Sequence, residues 1–162
     1  ALNDPTVLVW GPQRWLLTHG DALCLDDTAY MDFRAMVRSP QWRTDFLHKP
    51  ISERIELARS MRMQSEARKQ AGTVYSDVDG AAAEVLLQRL GADHMIHGHT
   101  HRPGLHCLQG SSQRWVLSDW DLQAQPARAE VLRLTLPIPQ QEKSSANMQR
   151  LAWPTTKSTT AD

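Results

Sequence analysis

One stretch constrains this chain more than any other: Met95-Ile96-His97-Gly98-His99-Thr100-His101-Arg102-Pro103, where a short apolar run stops in three alternate histidines. A run this short fits a buried strand better than a helix. Strand residues two apart share a side, so His97 and His99 are expected to turn their imidazoles toward one point. Gly98 between them lacks a Cβ and is expected to allow a tight bend and close approach of other groups. Neutral imidazole is a common nitrogen ligand of zinc, manganese and iron, and two on one short loop would clamp a metal. His101 reads either as standing behind such ligands or as facing a substrate. The bland alternative is a set of solvated loop histidines, or one satisfied core histidine with two bystanders.

A second histidine stands in a similar place. Thr6 to Trp10 and Arg14 to Thr18 are apolar runs around the turn Gly11-Pro12-Gln13, a predicted hairpin, and the second run ends in His19-Gly20-Asp21. A strand-end His-Gly-Asp alone is a weak signal. Beside His97 and His99 it gains weight, because three imidazoles on two strand ends can converge on a metal. Ala81 to Leu90 reads as an apolar helix capped by Asp77 or Asp79 and stopped by Gly91, and it feeds the strand His94 to Ile96. Helix feeding strand places the chain in the α/β class, where binding groups sit at strand ends.

Between these pieces lies a stretch of different character. Asp26 and Asp27 precede Tyr30, Phe33, Met36 and Val37 at helical spacing, so one of the two carboxylates is expected to cap that helix and the other to face the site. Ser39-Pro40 starts a second helix over about 41–49, and Ile51 begins a third that reaches about Gln70. Residues 28–70 hold nine basic and five acidic residues, interleaved with aromatics and methionines. Such basic amphipathic helices suit an anionic, partly apolar ligand or a membrane surface, or else form a plain solvated face.

Whole-chain composition excludes other classes. Lys plus Arg equals Asp plus Glu at 18 each, so no global field recruits nucleic acid. Two cysteines, Cys24 and Cys107, without a signal-peptide pattern point to buried thiols in a reducing, cytoplasmic compartment. No apolar run approaches the roughly 20 residues that span a bilayer, so any membrane association is peripheral. After Arg102-Pro103-Gly104, the runs Leu105 to Leu108 and Arg114 to Leu117 predict another hairpin, and Arg128 to Leu136 alternates as a half-buried edge strand. From Pro137 the composition predicts a disordered tail.

Taken together these stretches resemble the UDP-2,3-diacylglucosamine hydrolases of lipid A synthesis, within the calcineurin-like metallophosphoesterases. The resemblance is carried by Thr18-His19-Gly20-Asp21-Ala22-Leu23-Cys24-Leu25-Asp26-Asp27-Thr28-Ala29-Tyr30, the helix from Met61-Arg62 to Lys69, Ser76-Asp77-Val78, and Ile96 through Pro103. It implies a four-layer α/β/β/α sandwich with an inserted helical cap. Core strands would occupy 1–27, the cap 28–75, the core helix and histidine strands 76–136, and the tail 137–162. It implies a two-metal site, usually manganese (Mn2+), with His19, His97 and His99 as ligands and His97 also near the substrate. Asp27, Ser65, Arg68 and Lys69 would contact the glucosamine and phosphate end. The implied reaction cleaves the pyrophosphate of UDP-2,3-diacylglucosamine to UMP and 2,3-diacylglucosamine 1-phosphate at the cytoplasmic face of the inner membrane, with no nucleic-acid partner.

The same resemblance implies an Asp-x-His, a bridging Gly-Asp and an Asn-Arg-Asp ahead of the first region present, and that set is not found here, the Gly20-Asp21 pair belonging to the His19 motif. The chain is therefore expected to be the C-terminal part of such an enzyme and inactive alone. Three alternatives stand beside it: a metallophosphoesterase acting on another phosphodiester, a non-catalytic metal-binding remnant, and a peripheral membrane module.

Overall fold

Strand-forming runs bounded by turn residues become strands, and the structure, a computed structural model, describes residues 1–70, 76–135 and 147–152. The chain divides into two units, Ala1–Leu23 with the chain from Val78 onward, and Cys24–Asp77.

In the first unit, β1 (Thr6–Trp10) and β2 (Gln13–Thr18) form the expected antiparallel hairpin. Helix α4 (Gly80–Leu90) then leads into β3 (His94–His97), which lies parallel to β2. Strand β5 (Gln113–Val116) continues parallel on β3 and carries β4 (Gly104–Cys107) antiparallel at the edge, giving the order β1-β2-β3-β5-β4. The result is a mixed α/β architecture. Asp79 caps α4 by accepting the Ala82 amide at 2.7 Å, and Gly91 ends the helix in the left-handed region with φ 58°. Arg14 adds a cation at that end, its guanidinium donating to the carbonyls of Leu90 and Gly91, where the helix dipole favours positive charge.

Register separates the two sides of the sheet. Leu16, Met95 and Arg114 are paired across β2, β3 and β5, as are Thr18, His97 and Val116, and all of these lie on one side. That side is the dry one: Leu16, Met95, His97 and Val116 are fully buried, and Arg114 nearly so. Each large apolar side chain removed from water there contributes roughly 1.5–3 kcal/mol. The other side, with Gln13, Trp15, Leu17, His94, Ile96, Gln113 and Trp115, is half-exposed except at Trp15.

The second unit is helical. Its elements are α1 (Thr28–Arg38), α2 (Pro40–His48) and α3 (Ile51–Gln70). Asp27 caps α1 by accepting the Tyr30 amide at 3.0 Å, and Ser39 caps α2 by accepting the Trp42 amide at 3.2 Å. Trp42 and Phe46 stack at 4.8 Å, yet no residue of α1 or α2 is buried. No described helix is long and apolar enough to cross a membrane.

Two expectations need correction. The predicted disordered tail contains β7 (Asn147–Ala152), paired residue for residue with β6 (Glu130–Thr135). Its polar composition hides a strand anchored by Arg150, which donates to Glu130 at 2.9 Å and to the Val116 carbonyl at 2.7 Å. The remainder of the predicted tail lies outside the described residues. Of the two cysteines only Cys24 is buried; Cys107 is exposed, because β4 is the outer strand of its sheet.

Candidate functional site

The parallel strands β2 and β3 end side by side, and their ends carry the histidines. Thr18 pairs with His97, the Gly98 amide donates to the His19 carbonyl at 3.2 Å, and the Leu117 amide donates to the His97 carbonyl at 2.7 Å. Asp4 fixes the His19 end from outside, accepting from the Thr18 hydroxyl at 2.6 Å and the His19 amide at 3.2 Å. Asn3, Asp4, Thr18, His19 and Leu117 are among the residues lining an open cavity of about 340 Å³ there.

His19 and His99 come together, their ring centroids 5.0 Å apart and edge-on. Strand alternation is not what does this. β3 ends at His97, and both His99 and His101 take left-handed backbone, with φ 66° and 51°. Non-glycine residues in that region are uncommon, though histidine is enriched among them, and such strain gathers at functional sites. The tolerant glycine is also not the expected one. A Cβ built on Gly98 meets nothing within 4 Å, whereas one on Gly20, at φ +97°, would stand 2.8 Å from His97 Nδ1. Gly20 is what lets the His97 ring lie against the backbone.

His97 itself is fully buried, and both its ring nitrogens are engaged. Nδ1 is 2.8 Å from the Gly98 carbonyl oxygen, and Nε2 is 3.0 Å from Arg114 Nη1. A carbonyl only accepts and a guanidinium only donates, so the ring is neutral, with its proton on Nδ1 and its Nε2 lone pair given to Arg114. Sequence reasoning missed Arg114. Its signal was parity: on β5 it shares the inward side with Val116.

His101 faces elsewhere. It is exposed, with Nδ1 4.0 Å from Asp119 Oδ2. Asp119 is gripped by Arg128 through contacts of 3.0 and 2.8 Å, and this hydrogen bonding holds its carboxyl below the usual carboxylate range. The expected substrate contacts belong to the helical unit. Asp27 spends its side chain on the α1 cap, and Ser65 is exposed on α3. Arg68 and Lys69 sit in the last turns of α3, and their side chains lie outside the described residues.

A metal needs an imidazole lone pair, and the one on His97 is taken. Two cations close together also need bridging carboxylate. Among the described residues no group of three or more His, Cys, Asp or Glu is gathered to hold a metal ion. These residues, as arranged, do not fit a two-metal centre by themselves.

No family model matches the chain. Curated proteins do. A UDP-2,3-diacylglucosamine hydrolase of Chromobacterium violaceum is 52% identical over 121 residues, which is 74% of this chain and 51% of that protein. The protein of that name from Bordetella pertussis is 48% identical over 124 residues, 74% of this chain and 48% of its own length. That of Xanthomonas campestris pv. campestris is 41% identical over 147 residues, covering 83% and 59%. The chain spans about half the length of the curated relatives it matches. It is a relative of the UDP-2,3-diacylglucosamine hydrolases, matching them at 41–52% identity over that shared part.

Proposed function

We propose that this chain is the C-terminal part of an enzyme that hydrolyses the pyrophosphate bond of UDP-2,3-diacylglucosamine, giving 2,3-diacylglucosamine 1-phosphate and UMP in lipid A biosynthesis. The carrying observation is the identity of about one residue in two to proteins of that name. The intact protein would complete a four-layer sandwich and depend on divalent metal, Mn2+ by preference. Its metal would polarise the phosphoryl oxygens. His19, His97 and His99 are this chain's candidates to hold it, His97 only once Arg114 has left its Nε2.

The helical unit, the proposed cap, would bind the substrate. Its basic surplus suits the pyrophosphate, with Asp27, Ser65, Arg68 and Lys69 assigned to the head group. Exposed Phe33, Met36, Leu47, Ile51, Ile55 and Met63 suit acyl chains and a peripheral seat on the cytoplasmic face of the inner membrane. No nucleic-acid partner is proposed.

The test is UMP release from UDP-2,3-diacylglucosamine in a protein of the relatives' full length that carries this chain. We expect Mn2+-dependent release, reduced at least about a hundredfold by His99→Ala. No UMP above background would refute the activity, and full activity of the variant would refute the ligand assignment. A second reading has its own support in the engaged His97 ring: this chain by itself is a non-catalytic remnant. Calorimetric titration with Mn2+ separates the two, since tight binding at two sites by this chain would exclude the remnant.

A further inference from the structure

His99 reaches His19 through a strained turn. The Thr100 amide donates to the Gly98 carbonyl at 2.8 Å, closing a three-residue turn with His99 at its apex. His99 there has φ 66°, and a three-residue turn with positive φ at its centre is the rare kind. Gly98, the member of the turn without a Cβ, is not the one at the apex. Such a conformation persists only where its surroundings over-determine it.

The group that over-determines it is the Gly98 carbonyl. Its oxygen is also 2.8 Å from His97 Nδ1, so it takes two donors, one for each lone pair. His97 donates there only while its proton is on Nδ1. That choice is set from the far end of the ring, where Arg114 Nη1 stands 3.0 Å from Nε2. A guanidinium has no lone pair to offer, so a proton on Nε2 would face another N–H, and Nδ1 would turn a lone pair toward the Gly98 oxygen. Moving the proton would lose two hydrogen bonds and set like groups face to face. His97 is fully buried and Arg114 only 5% exposed, so water does not soften that loss. The ring is held close against the Gly20 backbone, and the Gly98 amide is tied to the His19 carbonyl at 3.2 Å.

We propose that Arg114 is the positioning residue of the His19–His99 pair. From β5 it fixes the proton of His97, His97 fixes the Gly98 carbonyl, and the carbonyl holds the turn that brings the His99 ring centroid to 5.0 Å from that of His19. Arg114 leaving His97 would free Nε2 and slacken His99 together. Holding the turn and binding a ligand through Nε2 are therefore exclusive roles for His97, and the first is the one it has here. The assignment holds whatever the two rings bind and does not depend on the hydrolase reading.

The test is nuclear magnetic resonance of the ¹⁵N-labelled chain. Long-range ¹H–¹⁵N correlations of the wild-type His97 ring should place its proton on Nδ1, and a proton on Nε2 would overturn the proposal with no variant involved. Arg114→Met keeps an apolar stem and removes the donor. We expect the Thr100 amide to exchange with solvent at least about tenfold faster and the cross-peak between the His19 and His99 rings to vanish, while the Met95 and Ile96 amides of β3 exchange as before. Arg114→Lys, which returns a donor to the same strand position, should recover the cross-peak and most of the protection. Unchanged Thr100 exchange in Arg114→Met would overturn the proposal. So would an even loss over Met95, Ile96 and Thr100 in a chain that still folds, since it would make Arg114 a packing residue. Should Arg114→Met fail to fold, the wild-type proton position still decides.

Discussion

The two units hold their residues in place by opposite means. The sheet unit fixes Leu16, Met95, His97 and Val116 in a side of the sheet that water does not reach. The helical unit, from Cys24 to Asp77, buries nothing along α1 or α2 and leaves Met36, Leu47, Ile51 and Met63 exposed. Its order is local: capping carboxylate and hydroxyl, proline in a first turn, and pairs such as Lys49 with Glu53 at 3.6 Å. A histidine set by packing can be placed to a fraction of an ångström, whereas a surface set by caps keeps its shape but not its contacts. The substitution that breaks one unit should therefore barely register in the other.

Two methionines test this most strongly. Met95 is 0% exposed and Met63 is 72% exposed. Met95→Ala should lower stability by about 2–5 kcal/mol, through lost transfer energy and the cavity left behind, while Met63→Ala stays within about 0.5 kcal/mol. Urea unfolding of both variants decides it. Comparable losses would mean that the helical unit has a core not visible in its exposure.

Two glycines sharpen the comparison inside the sheet unit. Gly20→Ala brings a Cβ to 2.8 Å from His97 Nδ1 at a left-handed backbone, whereas Gly98→Ala meets open space. We expect a loss of about 1–3 kcal/mol for the first and little change for the second. The His97 ring resonances should move only in the first. If Gly98→Ala proved the more damaging, the bend after β3 would matter more than the approach of the ring.

This pair also marks how far the sequence could be read. The strands of the sheet unit up to β6, an aspartate cap on α4 at Asp77 or Asp79, and its stop at Gly91 were legible because capping and alternation are local rules; the structure settles the cap on Asp79. That His19 and His99 share a place was legible from two strand ends each closing on histidine. What escaped depended on contacts across the sheet. No local rule says that Gly20 rather than Gly98 is the crowded glycine, or that the His97 lone pair meets Arg114, a partner 17 residues away. β7 escaped for the same reason, since its order comes from pairing with β6 and from Arg150 rather than from its own composition.

The helical unit should show its weakness at the caps. Asp27→Ala and Ser39→Ala each remove an acceptor from a first-turn amide, at Tyr30 and Trp42, and should cost about 0.5–2 kcal/mol of local helix stability. Amide hydrogen exchange should quicken in α1 or α2 and stay unchanged in β2 and β3. Faster exchange in the strands would show that the units are coupled more tightly than their separate means of support imply.

The smallest expected effect is the most pointed, because it concerns a stretch of the sheet unit built like the helical one. Asp119 and Arg128 hold the segment after β5 by a two-point contact, at 3.0 and 2.8 Å, with Arg128 about half exposed. Exposed pairs contribute about 0–1 kcal/mol, so Asp119→Asn should cost no more than that. Hydrogen bonding to Arg128 lowers the Asp119 pKa, so the folded carboxylate gives up its charge later than the unfolded one. The pair's contribution is then full above the ordinary carboxylate range near pH 4 and fades as pH falls through the lower, folded value. The gap between wild type and Asp119→Asn should therefore hold steady from neutral pH down to about pH 5 and close only under more acid conditions. A gap that closed already between pH 6 and 7 would show that the contact does not rest on the Asp119 carboxylate and its arginine, and would take the segment after β5 out of the class of surfaces held by exposed ion pairs.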